Sequence, residues 1–264
     1  MSTEHLLVDR DGHVVTLTLN RPEAKNAMSP EMLAGLADAW DMIDADPEIR
    51  VAIITGAGGS FCSGADLKAM NDSQNQSDGA RRMREDTGLA WKAWLRNYRL
   101  TKPLVAAVEG YAVAGGTELL QATDIRVAGE SAIFGVVEVT RGLFPLSGST
   151  VRLRRQIPFT KAMELLLLGE KITAREAERI GLIGRVVPDG DALKVARELA
   201  DRIAANGPLA VQAVKKSVQL TEGLPEEEAL KIELELGIPI FSTADAREGT
   251  TAFKEKREPK YQGR

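Results

Sequence analysis

Cysteine and histidine are almost absent from this chain of 264 residues. Cys62 is the single cysteine, which excludes an intrachain disulfide framework and fits a reducing compartment. The two histidines, His5 and His13, do not have the spacing of metal ligands. We therefore expect neither a structural disulfide nor a bound metal, and we expect Cys62 to be a small buried side chain.

Long apolar runs and an excess of positive charge are also missing. Nowhere do 18 or more apolar residues follow one another, and the first residues do not combine a basic start with an apolar stretch. Lys and Arg total 34 against 38 Asp and Glu, which gives a net charge of −4. This charge balance does not indicate a nucleic-acid partner. We expect a soluble, cytoplasmic protein with no membrane insertion.

Several common catalytic motifs are lacking as well. Residues 56–61 follow a strand-like run and are rich in glycine, but they lack the last glycine of a dinucleotide-binding fingerprint. The chain has neither the Gly-Lys-Ser/Thr of a phosphate-binding loop nor a Gly-x-Ser-x-Gly nucleophile elbow. These absences argue against a dinucleotide-binding site and a phosphate-binding loop, and they give nucleophilic catalysis little support.

What is present predicts an α/β protein with a sizeable core, since 44% of the residues are hydrophobic. Strands are expected at Val14–Leu19, at 51–55 and at Leu104–Val108. Ser29-Pro30 has the pattern of an N-cap followed by a first-turn proline, so a helix should begin there. From about residue 191 the pattern is almost wholly helical, and we therefore place a boundary between residues 1–190 and 191–264.

Two strand-to-helix junctions carry the predicted chemistry. After the strand Leu104–Val108, Gly115-Gly116 opens a helix with Glu118 in its first turn, and residues 60–67 follow the strand at 51–55 in a similar way. The first N–H groups of a helix have no intrahelical acceptor, so two such junctions can each direct one N–H at the same carbonyl oxygen. Taken alone, the first junction favours an ordinary turn that places a carboxylate at a helix N-terminus over a catalytic site, and the second junction is what changes this interpretation.

These stretches belong to five ordered blocks that resemble the crotonase family of enoyl-CoA hydratases and isomerases over nearly the whole chain. The blocks are Asn20-Arg21-Pro22 with Asn26-Ala27, residues 61–67, residues 110–118, Phe134-Gly135 with Glu138, and Phe253 with Glu255-Lys256-Arg257. The resemblance implies a ClpP/crotonase-type ββα spiral for residues 1–190 and an all-helical trimerisation region for 191–264. It also implies a homotrimer or a dimer of trimers.

The resemblance assigns roles to particular residues. Glu118 and Glu138 coincide with the family's catalytic glutamates, and the N–H groups of Ala65 and Gly115 with its oxyanion donors. The coenzyme A (CoA) part of an acyl-CoA thioester would be bound by Ala24, Lys25, Gly64, Asp66, Leu67 and Lys68, with Lys256 approaching from a neighbouring subunit. No cofactor is implied beyond this CoA moiety.

Paired carboxylates suit the addition of water, because one can accept a proton while the other delivers one. The implied activity is therefore hydration of a 2-enoyl-CoA. A double-bond isomerase or a dehydratase of another acyl-CoA are alternatives, as are a non-catalytic acyl-CoA sensor and an RNA-binding relative. The two intact glutamates argue against the sensor, and the lack of a basic run argues against RNA.

Two features set this chain apart from the common family pattern. Many hydratases have Gln-Pro before the second glutamate and Gly-Ala-Gly-Gly after it, whereas this chain has Val136-Val137 and residues 146–149. We therefore expect a reshaped acyl pocket, whose walls would include Trp91, Trp94, Leu143, Phe144 and Leu146. Separately, the polar segment 71–84 is either a flexible connection or a lid over the acyl group, and a helix is expected over 89–98.

Overall fold

The computed structural model describes residues 2–70 and 74–264, and these contain nine strands in two sheets. The strands are β1 (Leu6–Asp11), β2 (Val14–Leu19), β3 (Val51–Gly56), β4 (Leu104–Val108), β5 (Tyr111–Val113), β6 (Ile125–Gly129), β7 (Ile133–Gly135), β8 (Ile172–Thr173) and β9 (Arg185–Val187). The larger sheet has the order β1-β2-β3-β4-β6-β9, with all pairs parallel except β1-β2. In the smaller sheet, β7 pairs in parallel with β5 and antiparallel with β8.

Twelve α-helices accompany these strands in the same described residues. They are α1 (Pro30–Ala45), α2 (Leu67–Met70), α3 (Asp78–Glu85), α4 (Leu89–Ala93), α5 (Gly115–Leu120), α6 (Ser149–Gln156), α7 (Phe159–Leu168), α8 (Ala174–Arg179), α9 (Ala192–Ala204), α10 (Pro208–Thr221), α11 (Glu226–Gly237) and α12 (Ala244–Glu255). Three 3₁₀ helices lie at Pro22–Ala24, Glu138–Arg141 and Ile238–Ser242. As predicted, Ser29 caps α1, with its hydroxyl accepting from the Met32 N–H at 3.1 Å.

The central strands are buried on both faces, which explains their uninterrupted apolar runs. Along β4, Ala106 and Val108 belong to a core shared with α1, whereas Val105 and Ala107 belong to a second core shared with α9. The predicted strands at 14–19, 51–55 and 104–108 are confirmed as β2, β3 and β4.

The helical pattern predicted from residue 191 is also confirmed, because residues 191–264 are all described and contain no strand. However, α9 buries a small-residue face, including Ala196 and Ala200, against the larger sheet. A boundary at residue 191 would separate α9 from the sheet that it covers. The division into 1–190 and 191–264 stays a prediction, and the packing favours a boundary after α9.

The segment after α2 differs from the sequence-based expectation. Residues 71–73 lie outside the described residues, but 78–85 form the helix α3, which packs on α1. A Cβ added at Gly79 would lie 2.5 Å from the carbonyl oxygen of Pro30, and Arg82 forms a bidentate ion pair with Asp38 at 2.6 and 2.8 Å. The helix expected over 89–98 was predicted too long: α4 ends at Ala93, and Leu95 has a positive φ of 52° that no α-helix accommodates.

None of the helices in the described part of the chain is both long enough and apolar enough to span a membrane.

Candidate active site

The two strand-to-helix junctions lie side by side. The N–H of Phe61 donates to Glu109 O and that of Cys62 to Tyr111 O, both at 2.8 Å, while the Val113 N–H donates to Cys62 O at 3.0 Å. This strand-like pairing brings the two predicted oxyanion donors together: a Cβ added at Gly64 would lie 3.1 Å from the Gly115 nitrogen. Glycine at position 64 is therefore needed for the close approach.

The N–H groups of Ala65 and Gly115 are both free to bind a ligand. Within residues 2–70 and 74–264, neither of them donates to a protein acceptor. Ala114, just before Gly115, has φ 51° and ψ −129°, a strained conformation for a residue with a side chain. Its N–H donates to Gly135 O at 2.8 Å, which ties this turn to β7. Such a fixed pair of unpartnered donors is what an oxyanion hole requires.

Glu118 projects from the first turn of α5, and its side chain is almost completely buried. Its Oε1 accepts a hydrogen bond from the Ser149 N–H at 3.1 Å. Burial raises the pKa of Glu118, while hydrogen bonds from Ser147 and Ser149 act in the opposite direction. The carboxyl is thus desolvated but held by donors that favour its ionised form.

Glu138 begins a 3₁₀ helix and faces Glu118. Its Oε2 is buried and has no hydrogen-bond partner among the described residues. Burial, followed by the negative charge of Glu118, raises the pKa of Glu138 to about 7. Near neutrality the two carboxyls therefore form a coupled pair, and Glu138 is the member that more readily keeps the proton.

Both glutamates and both donors line one cavity of about 1300 Å³. Apolar side chains form much of its wall, and they include every residue that the sequence analysis expected there: Trp91, Trp94, Leu143, Phe144 and Leu146. The volume of the cavity is above the usual range of roughly 300–1,000 Å³ for ligand sites, so these bulky residues shape the cavity without closing it. The site can therefore accept an acyl group next to the two carboxyls.

Comparison with known proteins decides the family. A family model described as "Enoyl-CoA hydratase/isomerase" matches residues 9–264. The chain belongs to this family. A curated relative, "Enoyl-CoA hydratase EchA19" of Mycobacterium tuberculosis, is 55% identical, with 98% of this chain and 96% of the relative covered. The "2,3-dehydroadipyl-CoA hydratase" of Escherichia coli is 38% identical, over 98% of this chain and 99% of the relative.

Solved structures of the family confirm the predicted crotonase fold. An enoyl-CoA hydratase from Mycobacterium tuberculosis superposes with a TM-score of 0.90 at 40% identity, covering 99% of this chain and all of the other. One from Bacillus anthracis gives a TM-score of 0.91 at 36% identity, with 98% of this chain and 100% of the other covered.

The residues predicted to bind CoA are only partly gathered at the cavity. Lys25, Asp66 and Leu67 line it, whereas Ala24, Gly64 and Lys68 are neighbours that do not. The Asp66 carboxylate is already used, because it pairs with Arg21 at 3.0 Å and accepts from the Lys68 and Ala69 N–H groups. Lys256 is exposed at the end of α12 and does not line the cavity of its own chain, so its role across a subunit boundary stays a prediction.

A second lysine at the cavity was missed by the sequence analysis. The Nζ of Lys25 lies 4.4 Å and that of Lys171 5.8 Å from the centroid of the Tyr111 ring. Two cations thus share one aromatic ring at the cavity wall. Nothing in the sequence around Lys171 distinguishes it from other surface lysines, and only the packing of β5 beside β7 and β8 brings it to Tyr111.

The remaining candidate groups are structural. Cys62 is fully buried, and burial raises the pKa of its thiol to about 12, so it is the small core residue that was predicted. His5 Nδ1 lies 2.7 Å from Ser29 Oγ, and His13 Nδ1 lies 2.7 Å from Glu48 O. The described residues contain no group of three or more His, Cys, Asp or Glu side chains that could hold a metal ion.

Proposed function

We propose that this chain is an enoyl-CoA hydratase that adds water across the 2,3 double bond of a 2-enoyl-CoA thioester. The observation that carries the proposal is the coupled pair Glu118 and Glu138. It lies in one cavity with the N–H groups of Ala65 and Gly115, which donate to no acceptor among the described residues. Relatives that are named as hydratases and match nearly the whole chain support it.

In this mechanism the Ala65 and Gly115 N–H groups bind the thioester oxygen and stabilise the negative charge that it gains in the enolate. Losing one such donor typically costs about 3 kcal/mol of transition-state stabilisation. Glu118, the member of the pair that more readily loses its proton, orients the water and accepts its proton as the hydroxyl attacks the β-carbon. Glu138, the protonated member, delivers a proton to the α-carbon.

We propose that CoA itself is bound by the loop 64–68, Ala24 and Lys25. To these residues we add Lys171, because of its position in the structure. Lys25 and Lys171 supply positive charge at the Tyr111 side of the cavity, where the phosphates of CoA would need it. Lys256 of a neighbouring subunit would add a further cation. No cofactor other than this CoA moiety enters the reaction.

The test is to mix the protein with a panel of 2-enoyl-CoAs of different length and branching and to follow the absorbance of the conjugated thioester. Hydration removes the conjugation, so the absorbance should fall for at least one substrate. If none reacts while 3-enoyl-CoAs gain conjugation, the protein is an isomerase instead. The presence of two facing glutamates favours hydration, because a single base can carry a proton between two carbons.

We further propose that the chain assembles as a homotrimer or a dimer of trimers. In contrast to α9, the helices α10 and α11 leave large apolar side chains exposed: Val214, Val218, Leu230 and Leu234. Faces of this kind are typical of subunit interfaces. Light scattering at micromolar concentration should give at least three chains per particle, and a stable monomer would contradict the proposal.

Cytoplasmic localisation and a role in the β-oxidation of fatty acids are part of the same proposal. The lone buried thiol and the proposed CoA-ester substrate support them.

A further inference from the structure

The first block of the family pattern, Asn20-Arg21-Pro22 with Asn26-Ala27, takes no part in the hydration mechanism, but it lies against the junction that carries Ala65. Asn26 is fully buried, and its Oδ1 accepts from the Arg21 N–H at 2.8 Å. The Asn26 Nδ2 donates to Ser60 O at 2.6 Å, in the glycine-rich turn before that junction. The block is therefore attached to this turn through a side-chain amide.

The side chain of Arg21 extends this attachment to the far end of the junction. Its Nη1 donates to Ala27 O at 2.7 Å and to Asp66 Oδ2 at 3.0 Å. The side chains of Arg21 and Asp66 are only 17% and 16% exposed, so solvent and salt screen this ion pair less than a surface pair. Glu23 is the second carboxylate that the guanidinium approaches, but it is exposed and lies 3.9 Å from Nε.

Asp66 directly follows the oxyanion donor Ala65, and both its backbone and its side chain are held. The Asp66 N–H donates to Met28 O at 3.1 Å, and the Met28 N–H donates to Gly64 O at 2.8 Å. Asp66 Oδ1 accepts from two N–H groups of α2, while Oδ2 accepts from Arg21. Ala65 thus lies between two neighbours whose positions are fixed.

The charge of Asp66 gives its ion pair a chemical consequence. Asp66 lines the cavity next to Ala65, where the thioester oxygen gains negative charge as the enolate forms. An unbalanced carboxylate at this place would repel that charge, and the repulsion is strong where water is excluded. Arg21 does not line the cavity, so it acts on the ligand through Asp66 and not by direct contact.

Asp66 is ionised near neutrality, so its charge has to be balanced. Burial acts to raise the pKa of Asp66, but hydrogen bonds from the Ala69 N–H and from Arg21 outweigh it and lower the pKa. Among the described residues, Arg21 is the cation that pairs with Asp66. The two lysines of the cavity wall, Lys25 and Lys171, lie over the Tyr111 ring.

We propose that Arg21 is a positioning residue for the oxyanion hole. It fixes Asp66 beside the Ala65 donor and neutralises the Asp66 carboxylate, so that the thioester oxygen meets no opposing charge. The inference rests on the proposed binding of an acyl-CoA thioester between Ala65 and Gly115. It does not depend on hydration, and a ligand that cannot react is therefore a suitable probe.

The probe is butyryl-CoA with carbon-13 at the thioester carbonyl, which has no double bond to hydrate. The donors of an oxyanion hole weaken the carbonyl bond, so isotope-edited infrared spectroscopy should show a lower stretching frequency for the bound than for the free thioester. In Arg21→Gln at saturating ligand, this frequency should return towards that of the free thioester. The kcat with a 2-enoyl-CoA should fall about tenfold, less than the roughly 10²–10³-fold that follows the loss of a whole donor.

The double variant Arg21→Gln with Asp66→Asn separates the loss of charge balance from structural damage. Asparagine keeps an oxygen that can accept from α2, and it carries no charge. The double variant should therefore recover much of the frequency shift and of kcat. A double variant as impaired as Arg21→Gln alone overturns the inference, and so does an unchanged frequency in Arg21→Gln.

Arg10→Gln is the matched control. Arg10 pairs with Asp46 at 2.7 Å, and neither residue lines the cavity, so the frequency and kcat should equal those of the parent. A change as large as that in Arg21→Gln would show a general effect of losing an ion pair and would overturn the inference.

The behaviour of the parent protein distinguishes this inference from the proposed function. If the parent hydrates no enoyl-CoA but lowers the carbonyl frequency of butyryl-CoA, only the proposed function fails, and the variants still decide the role of Arg21. If the parent binds butyryl-CoA without lowering that frequency, no oxyanion hole acts on the thioester and the inference is overturned.

Discussion

The two sides of the active-site cavity are built differently. We call the side that carries Gly115, Glu118 and Ser147 the inner wall, and the side that carries Glu138, Arg141 and Phe144 the outer wall. On the inner wall the carboxylate is buried and held by donors of the same chain. On the outer wall the Glu138 Oε2 has no partner among the described residues, and Phe144 is 63% exposed. The inner wall is thus preorganised by hydrogen bonds within the chain, whereas the described residues give the Glu138 Oε2 no such hydrogen bond.

The difference between the two walls is tested most strongly by replacing each glutamate with glutamine. Glu138→Gln keeps the shape but cannot deliver a proton, so hydration should fall by about 10³-fold while acyl-CoA binding changes little. Glu118→Gln should suppress hydration to a similar extent. The measurements are kcat with 2-enoyl-CoA and the Kd for an unreactive acyl-CoA.

A 3-enoyl-CoA supplies the control for this pair. If the protein is an isomerase, Glu118→Gln should reduce turnover much less than Glu138→Gln, because one base is enough. Undiminished hydration in Glu138→Gln would contradict the role given to the outer wall.

The inner wall can also be disturbed at the oxyanion hole. A Cβ at Gly115 would lie 2.7 Å from Trp94 Cη2, so Gly115→Ala must move either the ring or the backbone donor. We expect a loss of roughly 10²-fold in kcat from a displaced donor. Gly237→Ala is the matched control, because a Cβ there meets nothing within 4 Å, and its kcat should equal that of the parent.

Much of the fold was predictable because it depends on local pattern. The apolar runs gave β2, β3 and β4, and Ser29 with Pro30 marked the start of α1. In contrast, β1 was missed because its exposed residues do not alternate with buried ones. The helix α3 was missed because its place depends on tertiary contacts, above all the ion pair between Arg82 and Asp38.

The site was predictable where it lies on the two strand-to-helix junctions that the sequence pattern indicates. The two junctions follow from strand, glycine turn and helix, and the family resemblance assigned roles to Ala65, Gly115 and Glu118 within them. The structure brings these three residues together. No local sequence pattern distinguishes Lys171 or Gln121. Their positions depend on pairings with residues that are distant in sequence, Tyr111 and Ser149, so no local pattern could have predicted them.

The third prediction concerns stability and tests the protonation of Glu138 on the outer wall. Burial and Glu118 raise the pKa of Glu138 from 4.5 to about 7, so the folded state binds more protons than the unfolded state between these values. The associated stability is fully present below pH 4.5 and is lost as the pH rises through 7. Glu138→Gln should therefore be more stable than the parent at pH 8, by about 1 kcal/mol after allowing for partial exposure, and not at pH 4.5.

Thermal unfolding of the two proteins at pH 4.5 and pH 8 measures this difference. A Tm gap between parent and variant that is the same at both pH values would show that Glu138 does not titrate in this window.

The smallest expected effect concerns the segment 71–84, of which residues 74–84 are described. Asn75, Ala80 and Met83 line the cavity, so the segment is placed to close over the acyl group, while α3 is already attached to α1 through Arg82 and Asp38. An unreactive acyl-CoA should slow hydrogen exchange in 74–84, and CoA alone should not. Equal exchange in all three states would make the segment a plain connection.

Arg82→Gln tests how firmly this part of the wall is attached. The change removes the ion pair with Asp38, which is half-exposed and should be worth less than about 1 kcal/mol, so the exchange of α3 should rise by no more than a few-fold. Arg81→Gln is the matched control, because the ion pairs of Arg81 with described residues are those with Asp78 and Glu85 of its own helix. If both variants exchange alike, the attachment to α1 depends on the close contact at Gly79 and not on the ion pair. In that case acyl-CoA should still protect 74–84 in both variants, because the residues that line the cavity are unchanged.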